Sequence, residues 1–108
     1  MIWLESPSNP TLRVADVKGI SDAVHGINKD IIVVIDNTFL TPVFQRPIEL
    51  GVDVCVYSVT KYLGGHSDVI MGAVTTNLAG FHKEVRDNQR GLLFSNIFGQ
   101  ILIFFKSF

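Results

Sequence analysis

Short apolar runs, each ended by polar or small residues, recur along the chain. Residues 31–35 and 52–57 form two such runs, rich in valine and isoleucine. Their length and β-branched composition predict buried β-strands. Residues 1–5 predict a strand that enters a turn, and residues 70–75 predict a further short strand built largely from small residues.

Two other segments have the pattern of helices. Asp16 is a candidate N-cap, because its carboxylate can accept a hydrogen bond from the first turn. The apolar residues that follow lie three and four positions apart and so share one helix face: Val17, Ile20 and Val24. We expect this helix to stop near Gly26, and residues 79–88 predict a second, polar helix.

The order of these elements predicts the fold class. Strand, helix, strand, short helical crossover and strand is the pattern of parallel α/β units, whose central strands are apolar on both faces. We therefore predict an α/β fold with a mostly parallel sheet and flanking helices.

Composition and charge exclude several classes of function. Hydrophobic residues make up 47% of the 108 positions, as in globular chains. Nine basic residues against ten acidic ones give a net charge of −1 and no basic stripe, which excludes nucleic acid as a main partner. The single cysteine, Cys55, rules out an internal disulfide, and the three histidines show no zinc-like spacing with it. The N-terminus has no signal-peptide pattern.

The stretch after residues 52–57 combines an amine with two hydroxyls. Ser58 and Thr60 precede Lys61, which lies where a predicted strand ends. Ligands of open α/β sheets bind at the carboxyl ends of strands. Lysine forms imines with carbonyl compounds, including the aldehyde of pyridoxal phosphate, and the hydroxyls could donate to its phosphate. By itself the motif is a weak signal, and residues of this kind more often form a solvated lysine after a strand.

A carboxylate ends the other apolar run. Asp36 follows residues 31–35 and could pair with the pyridinium nitrogen of the same cofactor, which an aspartate keeps protonated. The alternative is that Asp36 only caps the turn after its strand.

Several ordered blocks resemble one enzyme family. They are Glu-Ser-Pro-Ser-Asn-Pro at 5–10, Ile-Asp-Asn-Thr-Phe at 35–39, Gln-Arg-Pro at 45–47 with Leu-Gly-Val-Asp at 50–53, and Tyr-Ser-Val-Thr-Lys-Tyr at 57–62 continuing to Gly-His-Ser-Asp at 65–68. From residue 1 to about 89, in one register, the chain resembles the trans-sulfuration (Cys/Met metabolism) branch of pyridoxal-phosphate enzymes.

The resemblance implies roles for individual residues. Lys61 matches the lysine that holds pyridoxal 5'-phosphate covalently and later moves protons. Asp36 matches the partner of the pyridine nitrogen, and Ser58 and Thr60 match hydroxyls that hold the phosphate. Asn9 matches an asparagine near the phenolic oxygen of the cofactor. Val59 replaces a smaller residue, and we expect it to point into the packing behind its strand.

The resemblance also implies a fold and an activity. The fold would be part of the large domain of a fold-type I pyridoxal-phosphate enzyme. The activity would be carbon–sulfur cleavage of a small amino-acid substrate, cystathionine, to cysteine, 2-oxobutanoate and ammonia, in a cytoplasmic homotetramer with no membrane or nucleic-acid partner. Sister enzymes of the family that run β-elimination or γ-replacement remain alternatives, as does a non-catalytic fragment that associates with full-length subunits.

We expect the chain to be a central piece of such a protein. Residues 1–93 are predicted as a partial pyridoxal-phosphate-binding domain. Residues 94–108 are predicted as an atypical apolar tail outside the family pattern, too short to span a bilayer, which needs about 20 residues.

Overall fold

Five strands form a single mixed sheet in the computed structural model, which describes residues 1–92 and 100–105. In spatial order they are β1 (Ile2–Glu5), β2 (Val33–Asp36), β3 (Val54–Ser58), β4 (Met71–Thr76) and β5 (Gln100–Phe105). Strands β1, β2 and β3 run parallel, β4 is antiparallel to β3, and β5 is parallel to β4. The predicted mostly parallel α/β sheet is confirmed, with one antiparallel pair.

Helices connect the strands in the predicted order. They are α1 (Val17–Ile27), the single turn α2 (Thr41–Phe44) and α3 (Phe81–Leu92), with a 3₁₀ turn at Pro47–Leu50. Asp16 caps α1 as predicted, because its Oδ1 accepts from Gly19 N at 2.9 Å. The second predicted helix begins two residues later than expected and extends beyond residue 88.

The core lies where β2 and β3 meet α1. Val33, Val34 and Ile35 are all buried. Successive strand residues point to opposite faces, so β2 is covered on both faces. Cys55 is a fully buried free thiol in the same core, and burial raises its pKa above the ordinary value of 9.0.

Strand boundaries differ slightly from the predicted runs, in a way that matters for the site. Ile31 lies in a turn, where its N–H donates to Asn28 O at 3.2 Å, so the second strand starts later and includes Asp36. The third strand likewise extends to Ser58. Both residues are therefore the last residues of strands, held in register by the sheet.

The predicted tail falls mostly outside the described residues. The boundary at 93 and residues 94–99 and 106–108 lie there, and the domain division stays a prediction. In the described residues, no helix is long and apolar enough to cross a membrane, and no group of His, Cys, Asp and Glu side chains could hold a metal ion.

Candidate active site

Three strands end at the same edge of the sheet, and a cavity lies at that edge. In the parallel ladders Glu5 pairs with Asp36, and Asp36 pairs with Val56, two residues before the end of β3. The cavity has a volume of about 570 Å³. All five residues that the sequence singles out contribute to its lining: Asn9, Asp36, Ser58, Thr60 and Lys61.

Lys61 lies on an irregular turn that follows β3 directly. Residues Val59–Leu63 form a π-type turn in which the backbone of Lys61 departs from helical geometry, with φ −83° and ψ −112°. Gly64 N donates to Val59 O at 2.6 Å and closes the turn. A Cβ on Gly64 would lie 2.8 Å from that same oxygen, so only glycine fits without a shift of the turn. Short π-type segments are frequent at functional sites.

The Lys61 side chain is exposed at the cavity. Within the described part of the chain it makes no ion pair and no hydrogen bond; the ion pairs there involve other residues. The amine is therefore free to react with a molecule in the cavity.

Asp36 is half-buried and has spare acceptor capacity. Its Oδ1 accepts from Thr38 N at 2.9 Å, which fixes the carboxylate at the end of β2. Among residues 1–92 and 100–105 this is the one hydrogen bond that the carboxylate accepts. An ionised carboxylate has about four acceptor sites, so the second oxygen can accept from a ring N–H in the cavity.

The two predicted phosphate hydroxyls differ in availability. Thr60 Oγ1 accepts from Met71 N at 2.9 Å and contacts Met71 O at 3.3 Å, which ties the turn to β4. Its proton could go to a phosphate only by leaving the longer of these bonds. The Ser58 hydroxyl has no partner among the described residues, so Ser58 is the freer donor.

Asn9 projects from a turn that is held by its neighbours. Ser8 N donates to Arg13 O at 3.0 Å, Leu12 N donates to Ser8 O at 2.7 Å, and the Ser8 and Thr11 hydroxyls lie 2.8 Å apart. The turn thus fixes the backbone, while the exposed Asn9 amide lines the cavity.

Three further residues near the site make local contacts. His66 Nδ1 lies 2.7 Å from Gly64 O, a local hydrogen bond within the turn. Val59 packs against the core behind its strand, as expected. Tyr62 is 62% exposed and lies tilted against Phe39, with ring centroids 6.3 Å apart. Tyr62 is therefore available for contact with a ligand.

Sequence reasoning missed three polar residues of the cavity, Glu5, Thr38 and Ser67. A signal existed for Glu5, because it ends the first strand as Asp36 ends the second. Thr38 carried no signal by itself, since its importance depends on hydrogen bonds to two different strands.

The cavity suits a phosphorylated pyridine aldehyde. Its volume lies within the range of about 300–1,000 Å³ that small-molecule sites occupy. Its lining offers an amine for the aldehyde, a carboxylate for the ring nitrogen, hydroxyls for a phosphate and an amide for the phenolic oxygen. This donor set fits pyridoxal 5'-phosphate.

Comparison with known proteins gives the same class. The family model described as Cys/Met metabolism PLP-dependent enzyme matches residues 1–108. The chain belongs to this enzyme family, whose cofactor is pyridoxal 5'-phosphate.

Individual relatives narrow the similarity. The chain is 49% identical to cystathionine gamma-lyase of Homo sapiens over 92 residues, which cover 85% of this chain and 22% of that protein. It is 53% identical to putative cystathionine gamma-lyase 2 of Caenorhabditis elegans over 85 residues, 79% of this chain and 22% of the relative. The chain thus spans less than a quarter of the length of these relatives.

Solved structures of the family share the fold. A methionine gamma lyase from Micromonospora echinospora superposes with a TM-score of 0.75 and 42% identity, covering 82% of this chain and 24% of that one. A cystathionine gamma synthase from Xanthomonas oryzae pv. oryzae gives 0.75 and 37%, covering 83% and 23%. The fold of this chain, part of the fold-type I large domain, is therefore shared by a lyase and a synthase.

Proposed function

We propose that this chain carries the lysine-bearing part of the cofactor site of a pyridoxal-phosphate-dependent carbon–sulfur lyase of trans-sulfuration. The proposed substrate is cystathionine, cleaved to cysteine, 2-oxobutanoate and ammonia. The single observation that supports this most is that Lys61 and Asp36, from different strand ends, line one cavity. Similarity to cystathionine gamma-lyases of several organisms supports the choice of substrate.

Each residue would have a defined task. Pyridoxal 5'-phosphate, when bound, supplies an electron sink for the substrate. The Lys61 amine would hold the cofactor and, when released, accept and return protons at Nζ. Asp36 would accept a charge-assisted hydrogen bond that keeps the ring nitrogen protonated. Ser58 would donate to the phosphate with help from Thr60, and the Asn9 amide would orient the phenolic oxygen.

The choice between sister reactions rests on residues that recognise the substrate. The site residues of this chain are all assigned to the cofactor, and such residues run several related reactions on one fold. Cystathionine beta-lyase, cystathionine gamma-synthase and methionine gamma-lyase activities are therefore alternatives to the proposed one. Measuring the products formed from cystathionine and from methionine, side by side, separates the three lyase activities.

A non-catalytic role is the second candidate. In this case the chain would associate with full-length subunits of a homotetramer. Large apolar side chains are exposed at Ile27, Val43 and Phe44, and an associated subunit would bury them. A cytoplasmic location, which the family resemblance implies, is part of the proposal.

Borohydride trapping tests the proposed site. The chain is mixed with pyridoxal 5'-phosphate, reduced, and digested, and the modified lysine is located by mass spectrometry. We expect the pyridoxyl group on Lys61, its loss in Lys61→Ala, and no change in the matched control Lys29→Ala, an exposed lysine before β2. Equal labelling of Lys18, Lys29, Lys61 and Lys83 would reject an assembled site.

A second readout separates the two candidate functions. If Lys61 is labelled and 2-oxobutanoate forms from cystathionine, the chain is an enzyme. Selective labelling without product supports the non-catalytic fragment, and co-sedimentation with a full-length relative then tests its association.

A further inference from the structure

Thr38 bonds to both of the strand ends that carry the candidate site. Its N–H donates to Asp36 Oδ1 at 2.9 Å, and its Oγ1 accepts from Ser58 N at 2.8 Å. Thr38 is half-buried and lines the cavity. Through its side chain and its backbone amide, Thr38 therefore connects Asp36 to the end of β3, which Lys61 follows.

The Thr38 hydroxyl takes the place of a main-chain acceptor. Asn37 N donates to Val56 O at 2.9 Å, which continues the parallel ladder one step beyond β2. In a regular ladder the next donor, Ser58 N, would bond to Asn37 O. That carbonyl instead accepts from Thr41 N at 2.9 Å, where the chain turns into α2. Thr38 Oγ1 supplies the acceptor that the backbone no longer offers.

Holding Ser58 N fixes the start of the lysine turn. Ser58 is the last residue of β3, and Val59–Leu63 follow it without a linker. A shift of the Ser58 amide would therefore move Lys61. The turn is anchored at its other side by Thr60 Oγ1, which accepts from Met71 N on β4. The Thr38 and Thr60 hydroxyls thus tie the lysine turn to the segment after β2 on one side and to β4 on the other.

The Thr38 amide has a separate effect on Asp36. Its hydrogen bond occupies Oδ1 and fixes the carboxylate orientation, and Oδ2 is left for a ligand. No other hydrogen bond reaches this carboxylate within the described ranges. The orientation of the acid therefore depends on where Thr38 lies.

We propose that Thr38 is a positioning residue that sets the placement of Lys61 relative to Asp36. This proposal deepens the proposed function and rests on it. Thr38 acts through the two groups to which it bonds, and its hydroxyl is the atom that the β3 end requires. A purely structural threonine would change stability without changing how Lys61 meets the cofactor.

Three variants of the full chain isolate the hydroxyl. Thr38→Ser keeps an acceptor at the same atom, and Thr38→Val keeps the shape without it. Thr41→Val is the matched control, because Thr41 Oγ1 also accepts from a backbone amide, Val43 N at 3.3 Å, but does not line the cavity. The rate of pyridoxyl labelling at Lys61 and the pH profile of cofactor absorbance are measured for each, below its thermal midpoint.

We expect Thr38→Ser to label Lys61 within about twofold of the unmodified chain and Thr38→Val to label it roughly tenfold more slowly, the effect of one lost hydrogen bond. The absorbance pH profile should shift in Thr38→Val and stay in Thr38→Ser and Thr41→Val. Equal rates in Thr38→Val and the unmodified chain, or equal losses in both Thr38 variants, would overturn the proposal.

Hydrogen exchange at the Ser58 amide provides a test without cofactor. We expect protection in the unmodified chain and Thr38→Ser, and faster exchange in Thr38→Val. An unprotected Ser58 amide in the unmodified chain overturns the role of Thr38, even if Thr38→Val does not fold. Absence of labelling at Lys61 in the unmodified chain would instead reject the proposed function, and the role of Thr38 with it.

Discussion

Asp36 and Asp53 lie at opposite ends of the central strands, and both are half-buried. Asp36, at the carboxyl end of β2, accepts one hydrogen bond within the described residues, from its near neighbour Thr38. Asp53, at the amino end of β3, bonds to other elements: its Oδ2 accepts from His25 Nε2 at 3.0 Å and from Val33 N at 2.7 Å.

The backbone of Asp53 is equally engaged. Its N–H donates to Val33 O at 3.0 Å, and its carbonyl accepts from Thr76 Oγ1 at 2.8 Å. One aspartate thus joins α1, β2 and β4 to the start of β3. The same residue type is structural where its acceptors are used within the fold, and suited to a ligand where acceptor capacity remains.

The largest expected effect is on stability, at the amino end. Asp53→Ala leaves Val33 N and His25 without their acceptor, and we expect the free energy of unfolding to fall by about 3 kcal/mol. Asp36→Ala loses one local bond and should lower it by no more than about 1 kcal/mol. Urea unfolding followed by circular dichroism measures both. Equal losses would remove the distinction between the two aspartates.

The next effect is on cofactor binding, at the carboxyl end. Asp36→Asn can still accept from Thr38 N but has no charge for a ring N–H. We expect the dissociation constant of pyridoxal 5'-phosphate to rise roughly thirtyfold, the equivalent of about 2 kcal/mol for a charge-assisted bond. Asp53→Asn is the control and should bind normally once folded. Titration of cofactor absorbance gives both constants, and a normal constant for Asp36→Asn would contradict the assignment.

Two glycine variants test whether labelling of Lys61 needs the observed shape of the turn at Val59–Leu63. Gly64→Ala places a Cβ 2.8 Å from Val59 O, so the turn must open and move Lys61. We expect labelling at Lys61 to slow by about tenfold, the equivalent of about 1.4 kcal/mol. At Gly26, in α1, a new Cβ would meet nothing within 4 Å beyond its chain neighbours and the backbone of its own helix. Gly26→Ala should therefore leave labelling unchanged and stabilise the helix by about 0.5–1 kcal/mol. Normal labelling in Gly64→Ala would show that the turn tolerates change.

The smallest expected effect is a pH dependence of the free energy of unfolding. It arises from Cys55 and Tyr57, which lie in the core between the two ends of the central strands. Burial raises the pKa of Cys55 above 9.0 and the pKa of Tyr57 above 10.0. Above about pH 9 the unfolded state loses its protons first, so stability is full below that pH and falls as pH rises, by at most about 1.4 kcal/mol per pH unit for each group. Cys55→Ala should flatten the first part of this fall. An unchanged slope in Cys55→Ala would contradict the assignment to the thiol.

The sequence predicts correctly which edge of the sheet holds the candidate site. This edge is set by the direction of the strands and by the residues at which they end. Asp36 and Ser58 each follow a β-branched run, and parallel strands bring their carboxyl ends to one edge. The sequence alone therefore places Asp36 and Ser58 in one group at that edge. The antiparallel direction of β4 could not be predicted, since the apolarity of residues 70–75 says nothing about direction.

Contacts between residues that are distant along the chain could not be predicted from the sequence either. His25 and Asp53 are 28 positions apart and meet only because α1 ends beside the start of β3. The Thr38 hydroxyl accepts from Ser58 N because Asn37 O already accepts from Thr41 N. No pattern of residues in the sequence indicates this exchange of acceptors. Whether a side chain replaces a main-chain acceptor depends on how the strands are aligned, and that alignment is set only when the whole sheet forms.

The most direct measurement is ¹⁵N NMR of pyridoxal 5'-phosphate labelled at the ring nitrogen and bound to the chain. We predict the shift of a protonated pyridine in the unmodified chain and in Asp53→Asn, and the shift of an unprotonated one in Asp36→Asn. The same ring-nitrogen shift in Asp36→Asn and the unmodified chain would contradict the claim that Asp36 and Lys61 hold the two sides of one cofactor.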